Sequence, residues 1–285
     1  MKNIADLLER GRPRPMYNAE LHNFGISLTS GHEANNDQIG NQFIDTFDQW
    51  LSASSLNQLS GLSDFQHRHV IQGVTQFIDD IYLRYSRHVF VMAKEYLYHQ
   101  RLFGQANTVD DPNDIPMHAH LIIGMPFPFY GDVHPDMQEI LDTCMRRHIA
   151  VHIDSAWIGC TRDICFDYNH PAISSIGFSL SKGLGLGYNR IGVRYARDQS
   201  DGSITIMNDF TMIPRVMCWY GLQFMQKFGS DYLQATYGTD YDFLCQTCEL
   251  LPSKSIHLAH ILNAGHLQPV GTREALRYLH ANHTV

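Results

Sequence analysis

The chain of 285 residues is short of basic side chains, with 21 Lys and Arg against 29 Asp and Glu and a formal charge of −8. That balance argues against a nucleic-acid surface as its main business, because phosphate backbones are held by clustered Lys and Arg. Small-molecule chemistry is the better expectation. Long hydrophobic runs are missing as well: no stretch reaches the ~18 apolar residues of a membrane span. The opening segment "MKNIADLLERGRPRPMYNAE" carries charges where a secretory signal needs an apolar core. A cytoplasmic protein without a membrane partner is expected. Cysteines number only 6, and one pair, Cys245 and Cys248, has CxxC spacing. With no second pair at zinc-ligand spacing, these two read as neighbours on adjacent helical turns. Histidines are many, yet His118 and His120, placed by their spacing on one strand face, have no carboxylate or cysteine nearby to complete a metal site. No metal is expected.

What the chain does have is ordinary globular composition, 44% hydrophobic and 18% charged, and a pattern that changes along its length. Residues 1–65 read as helix and loop, an N-terminal helical arm. From there to residue 215 short apolar strands alternate with helical segments: "RHVIQG", "TQFIDDIYLRYS", "HVFVMAKE", "HAHLIIGMP", "HPDMQEILDTCMRRH", "IAVHID", "ISSIGFSLS" and "RIGVRYA". Such alternation predicts α/β architecture, a mostly parallel sheet covered by helices on both faces. Residues 216–285 make a smaller C-terminal portion.

In a sheet of this kind ligands sit where the carboxyl ends of strands meet helix N-termini, and the unusual residues fall there. Gly73, Val74 and Thr75 close the first strand and open a helix, offering backbone N–H groups and a hydroxyl to an anion. Asp154 ends one apolar strand and Lys182 follows another. A lysine in such a place is costly as a buried cation unless paired, and as a neutral amine it is a nucleophile ready to form a Schiff base. An ionised aspartate beside it suits a protonated ring nitrogen. Arg190 can fork onto phosphate oxygens, joined by the hydroxyls of Ser179 and Ser181. Lysine, carboxylate, arginine and an anion-cradling helix start are together what pyridoxal phosphate requires. The glycines at 183, 185 and 187 lack GxGxxG spacing and lead into a strand, which excludes a dinucleotide loop.

Two segments, "IDSAWIGC" and "FSLSKGLGLGYNRIGV", resemble the signatures of fold-type-I pyridoxal-phosphate enzymes, the aspartate aminotransferase superfamily. The resemblance implies that Lys182 carries the cofactor as a Schiff base and moves the proton at the substrate α-carbon. Asp154 would pair with the pyridinium nitrogen, and Trp157, where the family commonly has tyrosine, would lie near the phenolic oxygen. Ser179 and Arg190 would bind phosphate. "IQGVTQ" is similar to the family's glycine turn and assigns Val74 and Thr75 to the phosphate; "AKEYLYH" matches the segment whose aromatic, here Tyr96, stacks on the ring. It further implies an aminotransferase acting on an amino-group substrate, or a relative that decarboxylates, eliminates or condenses, and a homodimer. A degenerate, cofactor-binding non-enzyme is the alternative.

The sequence departs from the family pattern in three respects. The chain is shorter than typical members. Where they carry an asparagine that donates to the phenolic oxygen, "GMPFPFYG" places Met125, which cannot donate. The arginine that grips the substrate carboxylate has no certain counterpart, and Arg273 in "VGTREALRYL" is the candidate.

Overall fold

A computed structural model describes residues 3–10, 14–29, 32–103, 107–199 and 201–283. Among these, seven strands form the central sheet: β1 (His67–Ile71), β2 (Val89–Met92), β3 (Asn107–Val109), β4 (His120–Gly124), β5 (Ala150–Ser155), β6 (Ile173–Ser179) and β7 (Gly192–Ala196). They lie in the order β1-β7-β6-β5-β4-β2-β3. All neighbours are parallel except β7, which runs antiparallel to both β1 and β6. The expected mostly parallel α/β sheet is what the chain forms.

Two helices show how the faces are covered. In α2 (Val74–Tyr85) the buried residues Val74, Phe77, Ile78, Ile81 and Tyr82 recur at i, i+3, i+4, i+7 and i+8, a single apolar stripe. That stripe lies on the sheet so closely that a Cβ on Gly177 of β6 would stand 2.6 Å from the Phe77 ring. On the other side α1 (Ile39–Ser52) buries Phe43, Phe47 and Trp50, with the Phe47 ring 5.8 Å from Phe178. Helices α3 (Met137–Arg146), α4 (Arg215–Lys227) and α5 (Tyr232–Thr247) complete the layers described here.

Residues read from sequence as an N-terminal arm are woven into both parts of the molecule. Helix α1 packs on α4, Gln58–Ser60 pairs in parallel with Cys165–Asp167, and Glu9–Arg10 joins a C-terminal sheet. That small sheet holds Leu251–Pro252, Leu258–Asn263 and His266–Gly271, all antiparallel. One apolar cluster runs from Met16 through the central sheet to Leu279. Cys245 lies in the last turn of α5 and Cys248 caps it, as the spacing suggested. His118 and His120 do not share a strand face: His118 sits before β4 with φ 62° and stacks on His148, while His120 pairs with His152. Among the described residues no group of three or more His, Cys, Asp or Glu is arranged to hold a metal, and no helix is long and apolar enough to cross a membrane.

Candidate active site

Four strand ends converge on one edge of the sheet. Strands β1, β4, β5 and β6 deliver Ile71, Gly124, Asp154 and Ser179 there, and Gly124 pairs with Asp154 in register. Because β7 is antiparallel, its first residue, Gly192, pairs with both Ile71 and Ser179. Arg190, just before β7, therefore returns to the same edge.

A small cavity of about 30 Å³ opens here, lined by Tyr96, Gly124, Pro126, Pro128, Asp154, Trp157 and Lys182. The Lys182 amine stands 5.9 Å from the ring centres of Tyr96 and Trp157, between two aromatic walls. Asp154 accepts a hydrogen bond from the Ala156 N–H at 2.9 Å. Burial raises the pKa of its carboxyl, while that N–H and the charge of Lys182 pull it back down.

Beside the cavity lies a second group of predicted residues. Gly73 holds φ +75° at the N-cap of α2, so the N–H groups of Val74 and Thr75 begin the helix with no intrahelical partner. Arg190 donates through Nη2 to the Thr75 hydroxyl and through Nε to the Gln72 carbonyl at 3.2 Å. A Cβ on Gly73 would come within 3.0 Å of Arg190 Nη2 and 3.4 Å of Ser179 Oγ, so glycine leaves a hollow among these donors. Ser179 Oγ also accepts from the Ser181 N–H at 3.1 Å, capping the turn Leu180–Gly183, and donates to Ser181 Oγ at 2.8 Å.

The residues present fit pyridoxal phosphate. An anion hollow at a helix N-terminus, an amine between two aromatic walls and an enclosed carboxylate are the donors and acceptors that cofactor needs. Thr75, Ser179 and Arg190 with the Val74 turn would hold the phosphate, and Tyr96, Trp157, Asp154 and Lys182 would surround the ring.

Two expectations need closer placement. Met125 is wholly buried in the core and does not line the cavity; Pro126 and Pro128 form that wall. Neither proline has a side-chain donor to offer. Arg273 opens the helix Arg273–His283 and pairs with Glu274 at 2.9 Å and Glu9 at 3.7 Å; it is not among the residues lining the cavity. Of the alternating glycines, Gly183 packs on the Gly159 backbone, where its Cβ would stand 2.9 Å from Gly159 Cα, and Gly185 takes φ +69°.

Two further residues escaped the sequence reading. Glu95 is buried and accepts from the N–H groups of Tyr96 and Gly124, each at 2.8 Å. Its only signal was a glutamate directly before Tyr96 at a strand end. His257, in the turn just before the C-terminal strand Leu258–Asn263, sets its ring edge-on to Trp157 at 5.5 Å and accepts the Met16 N–H at 3.3 Å. Nothing in its local sequence marks it.

A scan against protein-family models and a search of curated proteins find no match to the sequence. Solved structures do match. An aspartate aminotransferase mutant from Thermus thermophilus superposes with TM-score 0.60 at 12% identity, covering 98% of this chain and 92% of that one. A pyridoxal-phosphate-bound C–S lyase from Staphylococcus hominis gives 0.62 at 13% identity, covering 98% and 90%. BacF from Bacillus subtilis gives 0.61 at 11% identity, covering 97% and 89%. The chain has the aminotransferase-like fold of the fold-type-I pyridoxal-phosphate enzymes, and this likeness extends over nearly its whole length.

Proposed function

We propose that the protein is a pyridoxal-phosphate enzyme acting on an amino-group substrate, most simply an aminotransferase, with Lys182 as the Schiff-base lysine. The observation that carries this reading is the Lys182 amine facing the same cavity as the Asp154 carboxylate, between the Tyr96 and Trp157 rings. When bound, pyridoxal phosphate supplies an aldehyde that condenses with amines and a ring that withdraws electrons from the adjacent carbon. Asp154 holds a proton on the ring nitrogen through its negative charge. Tyr96 and Trp157 confine the ring and exclude water. Lys182 anchors the cofactor and then, as a free amine, carries a proton to and from the substrate carbon next to nitrogen. Thr75, Ser179 and Arg190 fix the phosphate end and so set the orientation of everything else. The C–S lyase among the structural neighbours keeps elimination as the second reading, since it shares the fold to the same degree. A homodimer in the cytoplasm belongs to the same proposal.

The test is the visible spectrum of the purified protein before and after borohydride, followed by peptide mapping. A yellow protein whose reduced adduct maps to Lys182 supports the assignment, and an adduct on another lysine removes it. Amino donors offered with and without a keto-acid acceptor, read by mass detection, then separate transamination from elimination and from binding alone.

A further inference from the structure

His257 stands where three distant parts of the chain meet. Its Nε2 accepts the N–H of Met16 at 3.3 Å, and its ring lies edge-on to Trp157, a wall of the cavity, with ring centres 5.5 Å apart. The backbone behind the ring is fixed on both sides: the His257 N–H donates to Ser255 Oγ at 3.3 Å, and the His257 carbonyl accepts the Thr272 N–H at 3.3 Å. Ile256 donates its N–H to the Cys160 carbonyl at 3.2 Å, so the turn before Leu258–Asn263 is tied to the turn that begins at Trp157. The imidazole is buried, and its Nδ1 has no hydrogen-bond partner among the described residues. Because Nε2 accepts, the ring proton sits on that Nδ1. Among the described residues, the Met16 N–H is therefore the one hydrogen bond that sets the rotation of the ring.

Met16 is itself buried and belongs to a segment with anchors of its own. Two residues on, Asn18 caps the helix Ala19–Ser27 by accepting the Leu21 N–H at 2.8 Å, and donates to the Tyr237 hydroxyl of α5 at 3.1 Å. Leu21 lies against the glycine run after Lys182, where a Cβ on Gly185 would stand 3.6 Å from Leu21 Cδ1. We propose that His257 is a positioning residue, the joint that couples this N-terminal segment to the Trp157 wall. The Met16 N–H orients the imidazole, and the imidazole holds the indole whose ring centre stands 5.9 Å from the Lys182 amine. The consequence for turnover rests on the pyridoxal-phosphate reading; the joint itself does not.

The test is made on the full chain as purified, with 5-fluorotryptophan in place of its 3 tryptophans. The fluorine resonance lost in Trp157→Phe identifies that residue, and hydrogen exchange read by fragment mass spectrometry follows the Met16 N–H. His257→Gln keeps an acceptor in the place of Nε2 but no ring. In that variant the Trp157 resonance should shift while Met16 exchange stays as in wild type. His257→Phe keeps a ring and loses the acceptor. Met16 should then exchange about fivefold faster, the factor that one net hydrogen bond is worth. A residue that only fills space would move both readouts together in both variants. Unaltered Met16 exchange in His257→Phe, or an unmoved Trp157 resonance in His257→Gln, overturns the proposal.

The coupling is read from the far end of the joint. Met16→Pro removes the N–H donor and alters neither ring, whereas Met16→Leu keeps the donor with a side chain of similar volume. The Trp157 resonance should shift in the first variant and stay in place in the second. A resonance indifferent to Met16→Pro, or displaced equally by Met16→Leu, would overturn the joint as well. Where proline at this position prevents folding, the opposite responses of the two His257 variants decide the matter. Failure here leaves the proposed cofactor chemistry standing, and a protein that binds no pyridoxal phosphate leaves the joint standing.

Discussion

The Arg190 guanidinium donates to the Thr75 hydroxyl, joining positions 115 residues apart in the chain. The contact places a fixed cation over the N-terminus of α2, whose dipole already favours an anion. Together with Ser179 and the hollow at Gly73 it defines one end of the site.

Arg190→Ala should weaken pyridoxal-phosphate binding about tenfold or more, since a hydrogen bond to a charged group contributes ~1.5–3 kcal/mol. Gly73→Ala should weaken it too, because the residue holds φ +75° and the new methyl group would crowd Arg190 Nη2 at 3.0 Å. Equilibrium titration of protein fluorescence with the cofactor measures both. Unaltered affinity in Arg190→Ala would remove the phosphate role.

Asp154→Asn should act on turnover far more than on affinity. The amide keeps the shape and the contact to the Ala156 N–H but not the charge that holds a proton on a ring nitrogen. Comparison of kcat with cofactor Kd in the variant checks this, and full turnover would place Asp154 outside the chemistry.

Gly183→Ala and Gly187→Ala should differ sharply although the two glycines belong to one run. An added Cβ at Gly183 meets the Gly159 backbone at 2.9–3.2 Å and forces the Lys182 turn away, costing ~1–3 kcal/mol as overpacking does. At Gly187 the nearest atom is 3.8 Å away, so alanine should be neutral or slightly stabilising. Thermal unfolding of the two variants measures the difference.

Stability should peak near pH 6.5. His69, His99 and His120 are held neutral down to about pH 4 and His257 down to about 3, in each case chiefly by burial. His152 is lowered further in the same direction. The unfolded chain binds protons at these sites first, so stability is present above about 6.5 and is lost as pH falls toward 4. Glu95 works oppositely: raised from 4.5 to about 8, it keeps its proton in the fold, and stability declines as pH rises through that interval. Five imidazoles outweigh Glu95 below 6.5, and above it, where the histidines no longer contribute, Glu95 sets the slope. Melting temperatures from pH 4 to 8.5 trace the curve, and Glu95→Gln should flatten its alkaline side and steepen the rise between about 4.5 and 6.5.

The alternation of apolar strands and amphipathic helices was legible because hydrophobic periods of two and 3.6 are local properties of the chain. The placement of Asp154 and Lys182 on one cavity was legible too, since both follow strands whose ends a parallel sheet must align. Strand order and direction are non-local. Only the antiparallel β7 explains how Arg190 reaches Thr75, and only the packing of two turns explains Gly183 against Gly159. The surroundings of Met125 and Arg273 were not legible for the same reason. Whether a side chain meets a cavity, a core or an acidic neighbour depends on segments far away in sequence, here the core around β4 and Glu9 beside Arg273. Glu95 became visible as a site residue only when β2 and β4 were laid side by side, because its two N–H partners lie in the turn after β2 and at the end of β4.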